Sequence, residues 1–223
     1  MARGCLSPRL IYHTVKRYEA EVKRNISTWW LVFEVVWRDF FIFSHLRFGD
    51  QVFHAGGIKN RNVEWSKDRE LFQRWMDGRT GIPFADAHLR ELKQTGFMSN
   101  RGRVNTASFL TRDYEIDWRW GASWFESQLL DYDVSSNWFN WNMQATEIYY
   151  TNPIHQSMKY DKKGEYILSR LPELHSLPHP FYHAPWLAEE DDSVERPAVY
   201  PIPVFIQKKW GRSINNIKKE IKV

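Results

Sequence analysis

Three histidines in the last quarter of the chain, His175, His179 and His183, recur at intervals of four residues. On a helix this spacing would place the three imidazoles on one face, where they could bind zinc. Pro178 and Pro180 interrupt any such helix, because proline lacks the backbone donor and clashes with the preceding turn. We therefore predict no metal site.

Cys5 is the only cysteine, so the chain can form neither an internal disulfide nor a four-cysteine zinc site. It has no clear base partner, which argues against a cysteine nucleophile. The glycine-rich phosphate-binding patterns GxGxxG and GxxxxGKS/T are absent from the sequence. The common signatures of nucleotide hydrolysis and dinucleotide binding are therefore missing.

Two polar clusters could bind a ligand. Asn100, Arg101 and Arg103 share one face of a predicted helix, and the segment Asp131–Asp133 follows another. An Arg–Asp pair between the clusters would be a buried structural clamp in most proteins. It could equally hold a polar ligand such as a heterocyclic ring. Tryptophans elsewhere in the chain are taken first as core side chains.

The composition favours one or two packed domains. The chain has 223 residues, of which 43% are hydrophobic and 16% aromatic, with 12 tryptophans. Residues 208–223 contain six lysines or arginines and one glutamate, so the formal charge of +4 resides in this tail. Because the rest of the chain is close to neutral, binding to DNA is a weak expectation. No apolar run is long enough for a membrane span, and no secretory signal opens the chain.

Helical spacing dominates the pattern, so we predict an all-α fold. Ser7 and Pro8 open a first helix, and Ser27 or Thr28 caps a very apolar one that we place deep in the core. Further helices are predicted at 68–76, 86–93, 100–111, 121–130, 135–146 and 164–170. After Leu171 the proline-rich sequence predicts extended surface chain, followed by a basic amphipathic helix packed back on the body.

Long segments resemble the C-terminal FAD-binding domain of the photolyase/cryptochrome family, and most closely its DASH-type cryptochromes. The similar segments are FEVVWRDFF, GRTGIPFADAHLRELKQTGFMSNRGRVNTASFL, IDWRWGASWFESQLLDYDVSSNWFNW, NPIHQSMKYDKKGEY, LPEL, HAPW and YPIP. The resemblance implies a helical FAD domain over residues 1–187, followed by a proline-rich segment and basic helix over 188–223. It also implies that the family's N-terminal α/β antenna domain and the start of the flavin domain are missing, so the chain is identified as an N-terminally truncated member.

The resemblance implies three sets of site residues. Those at flavin-binding positions are Asn100, Arg103, Asp131, Asp133 and Asn137. Those at positions that contact a damaged pyrimidine pair are Glu34, Trp37 and Arg38. Those of the family's tryptophan electron relay are Trp141, Trp118 and Trp65.

Several departures from the family pattern point to an eroded site. The loop that holds the FAD phosphates is absent, and Phe139 stands where relatives have glycine, beside the bulky Trp138. Met143 replaces a substrate-stacking aromatic residue, Val104 replaces a glutamine, and the stretch 141–152 is shorter than in relatives. We therefore expect FAD binding to be weak or absent, with the pocket either empty or filled by side chains such as Phe139.

The leading hypothesis is a domain that no longer repairs DNA and serves as a structural or binding subunit of a larger assembly with protein partners. Since DASH-type relatives are often organellar, the resemblance implies a chloroplast or, second, a mitochondrial location; otherwise the protein is cytoplasmic. The alternative is a minimal flavoprotein that responds to blue light, either a cryptochrome-like photoreceptor or a photolyase-like lyase. A sample that carries yellow flavin absorption would favour the alternative.

Overall fold

The computed structural model describes residues 1–146, 150–191 and 193–221. Within these ranges the chain forms helices and 3-10 turns, with one isolated bridge between Ser66 and Ile116 and no β-strand. The α-helices are α1 (Pro8–Glu21), α2 (Ile26–Phe48), α3 (Arg69–Met76), α4 (Pro83–Thr95), α5 (Asn100–Ser108), α6 (Trp118–Gln128), α7 (Val134–Thr146), α8 (Pro153–Tyr160), α9 (Glu165–Arg170) and α10 (Gly211–Ile221). The predicted all-α fold is confirmed.

Side-chain caps fix where the first two helices begin. The hydroxyl of Ser7 accepts the backbone N–H of Leu10 at 3.1 Å, as the Ser-Pro pair predicts. Helix α2 begins one turn earlier than predicted, because the Asn25 side chain accepts the N–H groups of Ser27 and Thr28 at 2.8 and 3.1 Å. Thr28 in turn accepts the N–H of Asn25, which completes a capping box.

Helix α8 is an element that the sequence analysis did not assign. Asn152 caps it by accepting the N–H groups of Ile154 and His155, and Pro153 occupies its first position. An Asn-Pro pair before an apolar residue is a typical start of a helix, so the signal was present in the sequence.

Helix α2 is not deep in the core, and that prediction is wrong. Only Thr28, Val35 and Phe41 are buried, whereas Trp29, Trp30, Val36, Phe40, Phe43 and Leu46 are exposed, up to 78% for Leu46. Among the described residues the helix packs mainly on α1, on α7 and on the 3-10 turn Gly49–Phe53 that follows it, so much of its apolar surface faces outward. Over the described residues, no helix is both long and apolar enough to cross a bilayer.

The proline-rich segment contributes to the core, so its prediction as surface chain is wrong. Leu174, Ala184 and Tyr200 of this segment, and Trp210 and Ile217 after it, are fully buried in the cluster that also holds the buried faces of α4 to α7. The core therefore continues across residue 187. The final basic helix α10 packs back on the body as predicted, with Ile214 and Ile217 buried.

Asp86 ties this segment to the centre of the fold. Its buried carboxylate accepts hydrogen bonds from the backbone N–H groups of Thr80 and Gly81 and from the Tyr200 hydroxyl, the last at 2.6 Å. Burial raises the pKa of this carboxyl above its ordinary value. The hydrogen bonds compensate for the loss of water around a buried polar group.

Candidate functional site

A cavity of about 330 Å³ lies between α5, α6 and α7, with Glu34 of α2 at its wall. All five residues predicted to bind the flavin line it: Asn100, Arg103, Asp131, Asp133 and Asn137. Apolar side chains complete the wall, among them Phe125, Leu129 and Trp141. A concave, largely apolar wall with a few convergent polar groups is typical of a small-molecule site.

Arg103 and Asp131 form a bidentate contact at this cavity. Nη2 of Arg103 donates to both carboxylate oxygens at 2.9 Å, and its Nε donates to the carbonyl of Met98. The side chains are 27% and 53% exposed, respectively. The predicted pairing is present, but the prediction of a buried clamp is wrong, because Asp131 lies on a loop that water reaches.

Hydrogen bonds at the start of helix α7 hold Asp133 and Asn137 in position. The carboxylate of Asp133 accepts the N–H of Ser136 at 2.9 Å, and the Asp133 carbonyl accepts the N–H of Asn137. The Asn137 amide donates to the carbonyl of Ala122 on α6 at 3.0 Å, which fixes its side chain at the cavity wall.

Phe139 and Trp138 do not fill the cavity, so the alternative in which these side chains occupy it is wrong. The Phe139 ring packs 6.0 Å from the Phe41 ring in a separate cluster with Val52. The Trp138 ring lies 4.9 Å from that of Phe53, and its indole N–H donates to Glu126. Residues one and two positions after Asn137 point to other sides of the helix, because each residue turns the helix by about 100°.

The three residues predicted to meet a damaged base pair are not assembled at the cavity. Glu34 lines it. Trp37 lies one turn further along α2 and packs its ring 5.2 Å from that of Phe40 and 5.5 Å from that of Phe41. Arg38 pairs with its neighbour Asp39 at 3.0 Å.

Met143 also packs with the separate cluster of Phe41, Val52 and Phe139, and it does not line the cavity. Val104 lines the cavity wall. Residues 147–149 of the shortened stretch lie outside the described ranges.

The three predicted relay tryptophans occupy distinct environments. Trp141 is buried at the cavity wall, with its ring 5.0 Å from that of Phe125. Trp118 is buried and Trp65 is half-buried, and both indole N–H groups donate to the carbonyl of Ala55 at 3.1 Å. One backbone oxygen therefore joins two of the three tryptophans, while the electron relay itself stays a prediction.

Gly121 on α6 allows Trp141 to approach closely. A Cβ atom added there would overlap Cη2 of Trp141 and would lie 2.7 Å from its Cζ3 and 2.6 Å from Cδ2 of Leu110. The absence of a side chain at Gly121 therefore sets the position of one wall of the cavity.

Sequence reasoning assigned no site role to four polar residues of the cavity wall: Tyr132, Ser136, Asn140 and Gln144. Burial and the neighbouring Glu126 raise the pKa of Tyr132 to about 12, so its hydroxyl stays protonated near neutral pH. Gln144 lies seven residues after Asn137 on α7, and this two-turn spacing places both on one helix face. That spacing was a signal available in the sequence.

A cluster of titratable side chains lies between α4 and α9, outside the cavity. The Tyr166 hydroxyl donates to Glu91 and lies 2.7 Å from Nδ1 of His88. Since the single hydroxyl proton goes to Glu91, Nδ1 of His88 carries the proton of the neutral imidazole. Burial, helped by the charge of Arg170, lowers the pKa of His88 to about 4.

The three histidines with four-residue spacing bind separate groups. His183 lies 2.6 Å from the Ser157 hydroxyl, His175 faces the carbonyl of Leu168, and His179 pairs with Glu220. Across the ranges that the structure describes, no three histidine, cysteine or acidic side chains converge on a point where a metal could bind.

Comparisons with known proteins agree on one kind of domain. Residues 30–219 match the family model described as the FAD binding domain of DNA photolyase. Cryptochrome DASH of Natronomonas pharaonis is 50% identical over 92% of this chain and 45% of its own length. A chloroplastic/mitochondrial cryptochrome DASH of Arabidopsis thaliana is 47% identical over 83% of this chain and 34% of its own length.

The fold comparison gives the same result. The crystal structure of a Synechocystis cryptochrome superposes with a TM-score of 0.88 at 47% identity, over 98% of this chain and 47% of that one. The chain thus spans less than half the length of these relatives.

Proposed function

This chain belongs to the photolyase/cryptochrome family, and from that premise we propose that its cavity binds the ring system of FAD. The observation that carries the proposal is the open cavity of about 330 Å³ lined by all five expected flavin-binding residues. Because Phe139 packs elsewhere, the main steric argument against a bound flavin is removed. The minimal flavoprotein is therefore favoured over a domain without cofactor.

The residues present fit a flavin in kind and in size. Amide groups of Asn100 and Asn137, the guanidinium of Arg103 and apolar walls would surround a flat heterocycle. The volume is at the small end of ligand pockets, which span about 300–1,000 Å³. It suits the ring better than the whole dinucleotide, so the ring supplies most of the affinity. Bound FAD would supply a chromophore that absorbs blue light and exchanges electrons.

A binding titration tests the proposal. Flavin fluorescence is followed as the chain is added to riboflavin, FMN and FAD. We expect all three to bind with dissociation constants within about tenfold of one another, which corresponds to 1.4 kcal/mol. If none binds to the folded chain at millimolar concentration, the proposed flavin site is wrong.

We further propose that this domain does not repair pyrimidine dimers by itself. Repair needs a flipped base pair held by stacking and polar contacts at the site. Glu34 lines the cavity, whereas the ring of Trp37 packs against its own helix and Arg38 pairs with Asp39. Blue-light restoration of a dimer-containing oligonucleotide by the flavin-loaded chain, absent in the dark, would contradict this.

The exposed side of α2 favours a second function, contact with another polypeptide. Its apolar residues Val36, Phe43 and Leu46, which lie seven and three residues apart on one side of the helix, are between 57% and 78% exposed. Contiguous apolar surface of this kind commonly marks an interaction site. We expect the chain to associate in solution, and we expect Phe43→Glu with Leu46→Glu to reduce that association in sedimentation experiments without loss of helicity. Sedimentation of the unmodified chain as a monomer at all concentrations would contradict self-association.

We also propose an organellar location, with the chloroplast favoured over the mitochondrion. Three plant relatives carry the description chloroplastic/mitochondrial, at 47–50% identity. Detection of the protein in fractionated cells of its source tests the location; a signal confined to the cytosolic fraction would refute it.

A further inference from the structure

Helix α2 carries a stripe of side chains along its free side. Six residues share this side at intervals of four, three, four, three and four: Trp29, Phe33, Val36, Phe40, Phe43 and Arg47. The apolar members other than Phe33 are between 46% and 68% exposed, and Arg47 is exposed as well. Their mean spacing of about 3.5 residues is that of the seam through which two helices pack side by side in a coiled coil. We call these six residues the α2 seam.

The seam is the side of α2 that the described fold leaves open. The buried residues of the helix, Thr28, Val35 and Phe41, lie on its other sides, where α1, α7 and the 3-10 turn Gly49–Phe53 pack. A helix that is apolar all round is normally enclosed by neighbours. The seam therefore lacks a neighbour that the composition of the helix calls for.

The two ends of the seam differ in charge, and this difference selects an orientation. The one charged member is Arg47 at the C-terminal end, and Trp29 lies at the N-terminal end. Two seams packed in parallel would bring their Arg47 guanidinium groups together, where like charges repel. In the antiparallel orientation, Arg47 of each copy meets Trp29 of the other. A guanidinium over an indole face is a favourable cation–π contact.

The apolar members match in the same antiparallel register. Phe33 faces Phe43 of the second copy, and Val36 faces Phe40 of the second copy. Val36 is the smallest member of the seam, and it lies beside the two-fold axis, where a ring from the other helix has room to insert. Insertion of side chains between those of the facing helix is how coiled-coil helices pack.

We propose that two copies of this chain form a dimer through antiparallel pairing of their α2 seams; this names the partner for the proposed contact function of α2 and rests on it. Both copies use the same residues, so the contact is complete at two copies. Such a two-fold contact gives a closed dimer rather than a filament.

Sedimentation at increasing concentration tests the seam with two substitutions on the same helix. Val36→Glu changes the seam, and Leu31→Glu is the matched control, because Leu31 is 48% exposed on a different side of α2. Val36→Glu should raise the dissociation constant of the dimer at least about tenfold, since it would bury two carboxylates near the two-fold axis. Leu31→Glu should dimerise normally. Both variants should keep their helicity in circular dichroism, because both positions are exposed in a single copy.

Arg47→Glu tests the charge at the end of the seam. It replaces the cation over the Trp29 ring by a carboxylate, which the face of an aromatic ring repels. We expect this variant to dimerise more weakly than the unmodified chain as well.

A distance measurement tests the orientation. A spin label is attached at Ser27→Cys in a chain that also carries Cys5→Ser, because Ser27 is exposed and Cys5 is the only native cysteine. In the antiparallel dimer the two labelled positions lie at opposite ends of the helix pair, about 33 Å apart along its axis at 1.5 Å per residue. In a parallel dimer they would lie side by side, at the spacing of about 8–10 Å between packed helices.

A dimer with distant labels that Val36→Glu weakens and Leu31→Glu does not would support the inference. A dimer that Val36→Glu leaves unchanged, or one whose labels lie side by side, would overturn the antiparallel seam while self-association itself stands. Sedimentation of the unmodified chain as a monomer at all concentrations would overturn the inference together with self-association, and would leave the free side of α2 to a different polypeptide.

Discussion

Replacement of Gly121 by alanine should destabilise the protein, although alanine normally stabilises a helix. Gly121 lies inside α6, where alanine is favoured over glycine by about 1 kcal/mol. The added Cβ would overlap the Trp141 ring and would lie 2.6 Å from Leu110. Both partners are buried, and the Trp141 ring is held by Phe125. Neither can move away without further rearrangement.

Overpacking a tight core costs about 1–3 kcal/mol. Because two buried side chains are affected, we take the upper end of this range. After subtraction of the gain in helix propensity, a net loss of stability of about 2 kcal/mol remains. For a chain of this size each kcal/mol shifts the melting temperature by about 2–4 °C. We therefore expect Gly121→Ala to melt about 4–8 °C lower, as followed by circular dichroism at 222 nm.

Gly211→Ala provides the matched control. Gly211 opens α10 with helical backbone angles, and no atom lies within 4 Å of where its Cβ would stand. The same substitution there should raise the melting temperature slightly, by up to about 1 kcal/mol in stability.

A second comparison tests the stated cause. Phenylalanine at position 141 lacks the outer atoms of the indole, so Gly121→Ala should cost less in a Trp141→Phe background. A Gly121→Ala chain that melts at or above the unmodified temperature would refute the close approach of these two residues.

Three further substitutions test other parts of the structure by thermal or urea unfolding. Arg103→Ala should cost about 1 kcal/mol or less, because its partner Asp131 is more than half exposed; a loss above 3 kcal/mol would mean a buried pair. Folding favours neutral His88, so the contribution of His88 to the free energy of unfolding is complete above pH 6.5 and is lost as the pH falls towards the lowered pKa of about 4. His88→Gln should therefore remove an acid-induced loss of stability of roughly 3 kcal/mol. An unchanged dependence of stability on pH would contradict this. Tyr200→Phe should cost about 1–3 kcal/mol, because the buried Asp86 loses a donor at 2.6 Å; an unaltered unfolding midpoint would exclude that role.

Residue types and spacing predicted the helical class and two polar clusters of the cavity wall, whereas the resemblance supplied Asn137, Trp141 and Glu34. Local signals are sufficient to predict helices, since a capping residue or an apolar period of three to four residues depends on one helix alone. Asn100 and Arg103 share a helix face for this reason, and the residues alone already suggested an Arg–Asp pair with the segment that begins at Asp131. Solvent exposure of that pair was not predictable, because it depends on how the loop after α6 lies on the surface.

The errors come from long-range packing. An apolar sequence indicated burial for α2, but burial needs neighbours, and among the described helices α2 packs mainly on α1 and α7. The side on which Phe139 lies is set by its rotation about α7 relative to Asn137, which a position-by-position resemblance ignores.

The burial of Tyr200, Trp210 and Ile217 in the common core has a consequence for synthesis. Ile217 is translated 71 residues after the end of α7, which takes about 4–14 s at 5–20 residues per second. During that interval α4 to α7 have been made, yet the surface that these three side chains cover is open, and Asp86 lacks its tyrosine. The ribosome-bound nascent chain must therefore pass through a stage in which the domain is incomplete and exposes apolar surface. Chaperones that shield apolar surface would act at this stage.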